Sequence, residues 1–184
     1  MKRIKTDVLV IGAGSGGLSV AAGAVQMGAR VVLLEGHEMG GDCLNYGCVP
    51  SKALIAAGKA AHDQRGASVF GVQNGLGIAD YAAAQDHVAQ VIAQIAPVDS
   101  QERFEGLGVH VIRAFGRFIS DRLVEAGDTI IEARRIVIAT GSSVTPLPGV
   151  EGDNAKGVVV DSTGALELPK VPKTMVVIGG GVIG

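Results

Sequence analysis

Cys43 and Cys48 are the only cysteines in the 184-residue chain, and four residues separate them within Gly40-Gly41-Asp42-Cys43-Leu44-Asn45-Tyr46-Gly47-Cys48-Val49-Pro50-Ser51-Lys52. At that spacing they can form a redox disulfide, supply half of a metal site or serve as two small buried apolar residues. On one continuous helix, residues five apart have Cα atoms about 8.7 Å distant, beyond the roughly 7 Å that a disulfide tolerates. A bridge therefore needs an irregular turn, and Gly47 provides the backbone freedom for one. Pro50 suits the first turn of a helix beginning around Val49, with Ser51 and Lys52 continuing it. That leaves Cys48 at the helix N-terminus, where unpaired N–H groups favour negative charge on sulfur. Closing so short a loop removes only about 2 kcal/mol of unfolded-chain entropy, so the bridge is a poor staple and a redox use fits it better. Zinc fits less well, because four intervening residues exceed the usual two and only His37 lies near in sequence.

The residues upstream read as a nucleotide site that would serve those sulfurs. Thr6-Asp7-Val8-Leu9-Val10-Ile11 is an apolar, β-branched run of the kind found in buried parallel strands. Gly12-Ala13-Gly14-Ser15-Gly16-Gly17 follows at once, then a small-residue helix from Leu18 to Met27. In that order Gly12 makes the tight turn, Gly14 lets the backbone approach a pyrophosphate, and Gly17 allows close helix-to-strand packing. The pyrophosphate would rest on Ser15 and Gly16 at the helix N-terminus. Arg30 to Leu34 reads as a second strand ending in Glu35, about twenty residues past the glycines, where a carboxylate accepts from ribose hydroxyls. A GxGxxG alone can be only a glycine-rich turn. Strand, turn, helix, strand and acid together specify a dinucleotide site, and the cysteines directly following point to FAD rather than NAD.

Ala53 to Gln64 is expected to be helical, with Ala53, Ala56, Ala57, Ala60 and Ala61 forming a low-relief face for either a flat ring or another helix. Gly66 to Gly77, including Asn74, reads as loop. Tyr81 to Ile95 places Val88, Val91, Ile92 and Ile95 on one helical face, Pro97 interrupts it, and Asp99-Ser100 cap a continuation through Phe104. Short strands are expected at Val109 to Arg113, Gly116 to Ser120, Arg122 to Glu125 and Thr129 to Glu132, giving one strand of the main sheet and then a small antiparallel meander. Arg135 to Ala139 returns to the sheet and ends in the turn Thr140-Gly141-Ser142-Ser143. Pro146, Pro148 and Gly149 mark an exit, Asp161 to Leu168 a crossing segment, and Pro169 with Pro172 a boundary. Thr174 to Ile178 then reads as a strand leading into a second GxGxxG, Gly179 to Gly184, so the fingerprint repeats about one domain later. His37, His62, His87 and His110 lack ligand spacing and read as ordinary polar residues; no metal site is expected.

Sixteen basic against eighteen acidic residues give a formal charge of -2, which offers no bulk attraction for nucleic acid or an anionic membrane. Only 3% of residues are aromatic and none is Trp, so a stacking platform for single strands is not expected. The apolar run at Val8 to Ile11 is too short for a membrane span, and Met1-Lys2-Arg3 does not open a signal peptide. A cytoplasmic location is expected, where a catalytic disulfide is favoured over a structural one.

The segment GGDCLNYGCVPSK resembles the redox segment of the pyridine nucleotide-disulfide oxidoreductases, the family of dihydrolipoamide dehydrogenase, glutathione reductase and mercuric reductase. Asp42 stands where that family most often has Thr, and Tyr46 where a smaller residue is common. The resemblance implies that Cys43 is the interchange thiol facing substrate, that Cys48 contacts the flavin in charge transfer, and that Lys52 lies near the flavin ring. Gly41, Asp42, Cys48 and Lys52 would then be cofactor neighbours, as would Ala139-Thr140-Gly141, which is similar to the family's second FAD motif. It implies an α/β fold: a Rossmann-like FAD-binding domain with a parallel sheet and a small antiparallel meander over residues 1–168, incomplete by its last strand. Residues 169–184 would open a truncated NAD(P)-binding domain. The full-length protein would be an FAD- and NAD(P)-dependent disulfide oxidoreductase, homodimeric, acting on a small thiol or disulfide in the manner of dihydrolipoamide dehydrogenase. Alternatives are a mercuric reductase-like enzyme acting on Hg(II), an isolated FAD-binding module without turnover, and a flavin monooxygenase-like domain with incidental cysteines. The 184 residues alone are expected to be inactive.

Overall fold

The structure, a computed structural model, describes residues 1–73, 75, 78–145, 148–149 and 159–184. The expectations at Asn74, Gly77 and Pro146 lie outside the described residues.

Strand β1 (Lys2–Ile11) runs at the centre of a six-stranded sheet with β2 (Val31–Leu34), β3 (His110–Ile112), β4 (Gly116–Phe118), β5 (Leu123–Ala126) and β6 (Thr129–Ile138), in the order β3-β2-β1-β6-β5-β4. β3, β2, β1 and β6 are parallel, whereas β4 and β5 pair antiparallel with each other and β5 with β6. The meander is thus an extension of the main sheet. The expected break between Thr129–Glu132 and Arg135–Ala139 is absent: one ten-residue strand serves both, antiparallel to β5 on one side and parallel to β1 on the other. Ala133 and Arg134, which the expected strands leave out, lie within it, Ala133 buried and Arg134 exposed.

Alternation along the central strands divides the core in two. Val10 points to one face with Val31, Leu33, Val109 and Val111, under Leu18 and Ala21 of α1 (Ser15–Gln26) and Phe104. Leu9, Ile11, Val32 and Leu34 point to the other, with Val124, Ala126, Ile131 and Ala133. β1 begins four residues before its expected start. Its register with β2 starts only at Val8↔Val31, so among the described residues Lys2 to Thr6 have strand pairing only with β6, while the Thr6 hydroxyl donates to the Arg30 carbonyl at 2.7 Å. Half-edge backbone tolerates Lys2, Arg3 and Lys5, and Lys5 pairs with Glu132 at 3.3 Å.

The remaining helices are α2 (Gly41–Asn45), α3 (Cys48–Gly66), α4 (Tyr81–Ile95), α5 (Gln101–Gly106) and α6 (Ser162–Leu166), with short 3-10 turns at Ala67–Phe70 and Ala96–Asp99. The first of these turns occupies part of the expected loop after Gly66, and α6 lies within the expected crossing segment. Two compact units result: residues 1–45 with 92–142, which hold the sheet, and residues 46–91 with 143–184. Within the second, Gln85 Nε2 donates to the Leu166 carbonyl at 2.9 Å and the Tyr81 hydroxyl at 2.8 Å. Thr174 to Ile178, expected as a strand, carries no strand pairing among the described residues, because an extended segment becomes a strand only where a neighbour takes its N–H and C=O groups. No helix among the described residues is long and apolar enough to cross a membrane.

Candidate functional site

The glycine turn forms where β1 ends. Gly12 has φ +104°, and a Cβ there would lie 2.2 Å from the Ala139 carbonyl oxygen and 3.2 Å from the Thr140 Cα. Only a residue without a side chain admits that approach, so Gly12 rests directly against the Ala139-Thr140-Gly141 turn. The Ala139 N–H donates to the Ile11 carbonyl at 2.8 Å, and Gly141 has φ +69°. Five residues on, a Cβ on Gly17 would lie 1.8 Å from the Gly12 carbonyl oxygen, so α1 begins in contact with the turn.

A third stretch of backbone closes the cradle. Gly14 forms an isolated parallel bridge with Gly40, the Gly40 N–H donates to the Ala13 carbonyl at 2.9 Å, and a Cβ on Gly41 would stand 2.7 Å from the Gly14 Cα. Gly12 to Gly17, Gly40-Gly41 and Ala139-Thr140 therefore meet backbone to backbone. Facing out of this junction, Ser15 and Gly16 are exposed at the start of α1, and a Cβ on Gly16 would meet nothing within 4 Å. The helix has no side-chain cap bond and no acidic residue in its first turn. Its first N–H groups are thus left for an anion from outside, and the helix dipole favours a phosphate there.

Glu35, buried at the end of β2, uses both carboxylate oxygens within the protein: Oε2 accepts from the Ala13 N–H and Oε1 from the His37 N–H, each at 2.6 Å. The carboxylate therefore lies beside the glycine turn. The two backbone bonds were not foreseen, since spacing locates an acid but not its partners. His37 is held further: Arg113 donates to its carbonyl, and Phe115 meets its ring edge to face at a centroid distance of 4.9 Å.

Cys43 is tied to the cradle through α2. This helix starts at Gly41 itself, carries Asp42 exposed and Cys43 half-buried, and buries Leu44 against Gly40. Asn45 fastens it, donating through Nδ2 to the carbonyls of Met39 at 3.1 Å and Gly41 at 2.9 Å. Sequence reasoning quoted Asn45 within the motif but gave it no task. Cys48 and Lys52 belong to the second unit. Cys48 is the first residue of α3, one position earlier than expected, exposed and with a free thiol; Gly47 is the N-cap and contributes no side-chain bond. Lys52 is exposed one turn later, above buried Pro50 and Ala53.

In the same unit the second fingerprint repeats the local geometry of the first. Gly179 has φ +111°, and a Cβ on Gly184 would lie 2.1 Å from the Gly179 oxygen, 3.1 Å from its carbon and 3.4 Å from Val177 Cγ1. For Gly17 the corresponding values, to Gly12 and Val10, are 1.8, 3.0 and 3.3 Å. The second turn has the form of the first although the segment leading into it carries no strand pairing among the described residues.

Residues 6–184 match the family described as pyridine nucleotide-disulphide oxidoreductase. Dihydrolipoyl dehydrogenase 3 of Pseudomonas aeruginosa is 42% identical over 185 residues, covering 97% of this chain and 39% of the relative. Dihydrolipoyl dehydrogenase 3 of Pseudomonas putida is 38% identical over 193 residues with the same two shares, 97% and 39%. Among solved structures, the Cu(II) complex of the HOCl-induced flavoprotein disulfide reductase RclA from Escherichia coli superposes with a TM-score of 0.72 at 25% identity, over 90% of this chain and 34% of that one. The chain spans about two fifths of the length of these dehydrogenases. Motif, cradle and match converge, and the chain belongs to the pyridine nucleotide-disulphide oxidoreductase family.

Proposed function

We propose that this chain is the FAD-binding part of a dihydrolipoamide dehydrogenase-like disulfide oxidoreductase, with residues 1–168 as the flavin domain and 169–184 as the opening of the NAD(P) domain. The observation that carries the reading is the cradle: three glycine-rich backbone turns meet, and the helix bearing Cys43 starts from one of them. The residues fit a dinucleotide. The open start of α1 suits its phosphates, Glu35 beside the turn would serve a ribose, and exposed Gly141 and Asp42 would be cofactor neighbours.

When bound, the flavin supplies two-electron chemistry between a nicotinamide and the sulfur pair. In the dithiol-oxidising direction, a substrate thiolate attacks Cys43 of a Cys43–Cys48 bridge and Cys48 leaves as thiolate. The second substrate thiol then displaces Cys43, so one substrate disulfide forms and both cysteines are reduced. Cys48, at the N1 position of a helix without a side-chain cap, is placed for its negative charge to be stabilised by backbone N–H groups. Lys52, exposed in the first turns of that helix, would balance negative charge gained by the ring. In the full-length homodimer the net reaction is dithiol plus NAD(P)⁺ to disulfide, NAD(P)H and a proton.

The test is anaerobic reductive titration of the FAD-loaded chain. A long-wavelength thiolate-to-flavin band should appear in the wild type and in Cys43→Ser and be lost in Cys48→Ser. A wild type without the band, or one retained in Cys48→Ser, overturns the pairing. A second reading, reduction of a soft metal ion, is favoured by one observation: the flavoprotein RclA has been solved with Cu(II). Turnover of the full-length protein with dihydrolipoamide against Hg(II) or Cu(II) separates the two.

A further inference from the structure

We propose that Glu35 is a positioning residue for the phosphate turn, holding that turn through the Ala13 N–H independently of any contact with ribose. The inference rests on the cofactor reading above and goes beyond it. A carboxylate required only for sugar hydroxyls needs no backbone partners, yet each oxygen already accepts from a backbone N–H at 2.6 Å, in a residue only 9% exposed. Bonds this short to an ionised acceptor are the stronger, charge-assisted kind. Two N–H donors also help to offset the burial of a charge that would otherwise oppose a neighbouring diphosphate.

The bond to Ala13 reaches the middle of the turn. Ala13 lies between Gly12, fixed against Ala139, and Gly14, bridged to Gly40, and its own carbonyl accepts from the Gly40 N–H. The N–H held by Glu35 is therefore turned inward, and the peptide plane that carries it is set. The other oxygen anchors the acid from behind through His37, which Arg113 and Phe115 hold in turn. Glu35 thus straps the loop after β1 to the loop after β2 and, through His37, to the residues that follow β3. A carboxylate has about four acceptor positions, so two remain for hydroxyls. Ribose recognition and loop positioning are compatible and separable.

The separation is tested with two probes on the full chain, ADP and 2′,3′-dideoxy-ADP, which lacks the hydroxyls. Glu35→Gln keeps size and one acceptor but turns an NH₂ towards one of the two N–H groups. A lost hydrogen bond to a charged group corresponds to roughly ten- to a hundredfold in an equilibrium. Weakening of both probes by a similar factor in that range is the expected result. If Glu35→Gln weakens ADP and leaves the dideoxy probe unchanged, Glu35 acts on ribose alone and the proposal is overturned. An independent measurement needs no variant to fold: in the ¹⁵N,¹³C-labelled wild type, a scalar coupling across the hydrogen bond should connect the Ala13 amide nitrogen with the Glu35 carboxylate carbon, and a solvent-exchanging Ala13 amide without it refutes the strap. Failure of the wild type to bind FAD or ADP while that coupling is present removes the cofactor reading and leaves the positioning bond intact.

Discussion

Asp7, at the end of the sheet away from the glycine turn, receives three hydrogen bonds from Arg30: from its backbone N–H at 3.1 Å, Nε at 3.0 Å and Nη2 at 3.2 Å. These bonds, with the charge of Arg30 and a weaker contribution from Arg134, outweigh partial burial and hold the Asp7 carboxyl well below its ordinary 3.8. A carboxylate whose pKa is depressed by folding stabilises the native state above its unfolded value and loses that contribution as pH falls towards the folded one. The stability difference between wild type and Asp7→Asn should therefore be constant from about pH 5 to 7 and shrink progressively below about pH 4, as read by denaturant melts across that range. A contrast at the glycine turn is equally local. Gly17→Ala places a methyl 1.8 Å from a backbone oxygen that neighbouring elements fix, whereas Gly16→Ala meets nothing within 4 Å. Thermal melts of the cofactor-free chain should show Gly17→Ala destabilised by about 2–3 kcal/mol or more, and Gly16→Ala unchanged or stabilised by up to about 1 kcal/mol.

At the scale of the element, α5 shows how a short helix is specified. Ser100 accepts from the Arg103 N–H at 3.2 Å, and the helix it caps delivers Phe104, 2% exposed, into the core beneath β2 and β3. Six residues cannot sustain a helix in water unaided, so cap and anchor must act together. Ser100→Ala should cost about 1 kcal/mol and Phe104→Ala about 3–5 kcal/mol in equilibrium unfolding, and an equal cost for both would show that the cap rather than the anchor sets the element. The Asp99-Ser100 cap and Phe104 were legible because capping chemistry and a lone apolar anchor are local signals. The bounds of α4, Tyr81 to Ile95, were legible for the same reason. The unbroken length of β6 and the start of β1 were not. Lys2, Arg3 and Lys5 lie before the expected start and Arg134 in the expected gap, and only the pairing of β1 with β6 shows that they lie on strand backbone with room for charge. Helix α2 was also hidden, because two glycines announce a turn and the Asn45 bonds that close the segment run to carbonyls whose position needs the fold. The glycine turn and an acid beside it were legible by type and spacing, whereas the backbone groups that Glu35 grips followed from neither.

For the molecule as a whole, the two fingerprints stand in unlike surroundings. The first is embedded: β1 has strands on both sides over Val8 to Ile11, and Leu9 and Val10 are fully buried. The second has its turn geometry but no strand pairing among the described residues, where Met175, Val176, Val177 and Ile178 are between 50% and 83% exposed. An uncharged, β-branched run with unpaired backbone is a template for intermolecular pairing. The 184-residue polypeptide should therefore associate with rising concentration through this run. Val176→Lys alters the most exposed position of that run and opposes stacking by charge repulsion. Light scattering should show concentration-dependent association reduced severalfold in Val176→Lys, while the melting of the sheet, which lies in the other unit, stays within about 0.5 kcal/mol of wild type. Unchanged scattering would move the association to another surface. Reduced scattering would assign the association to this exposed run.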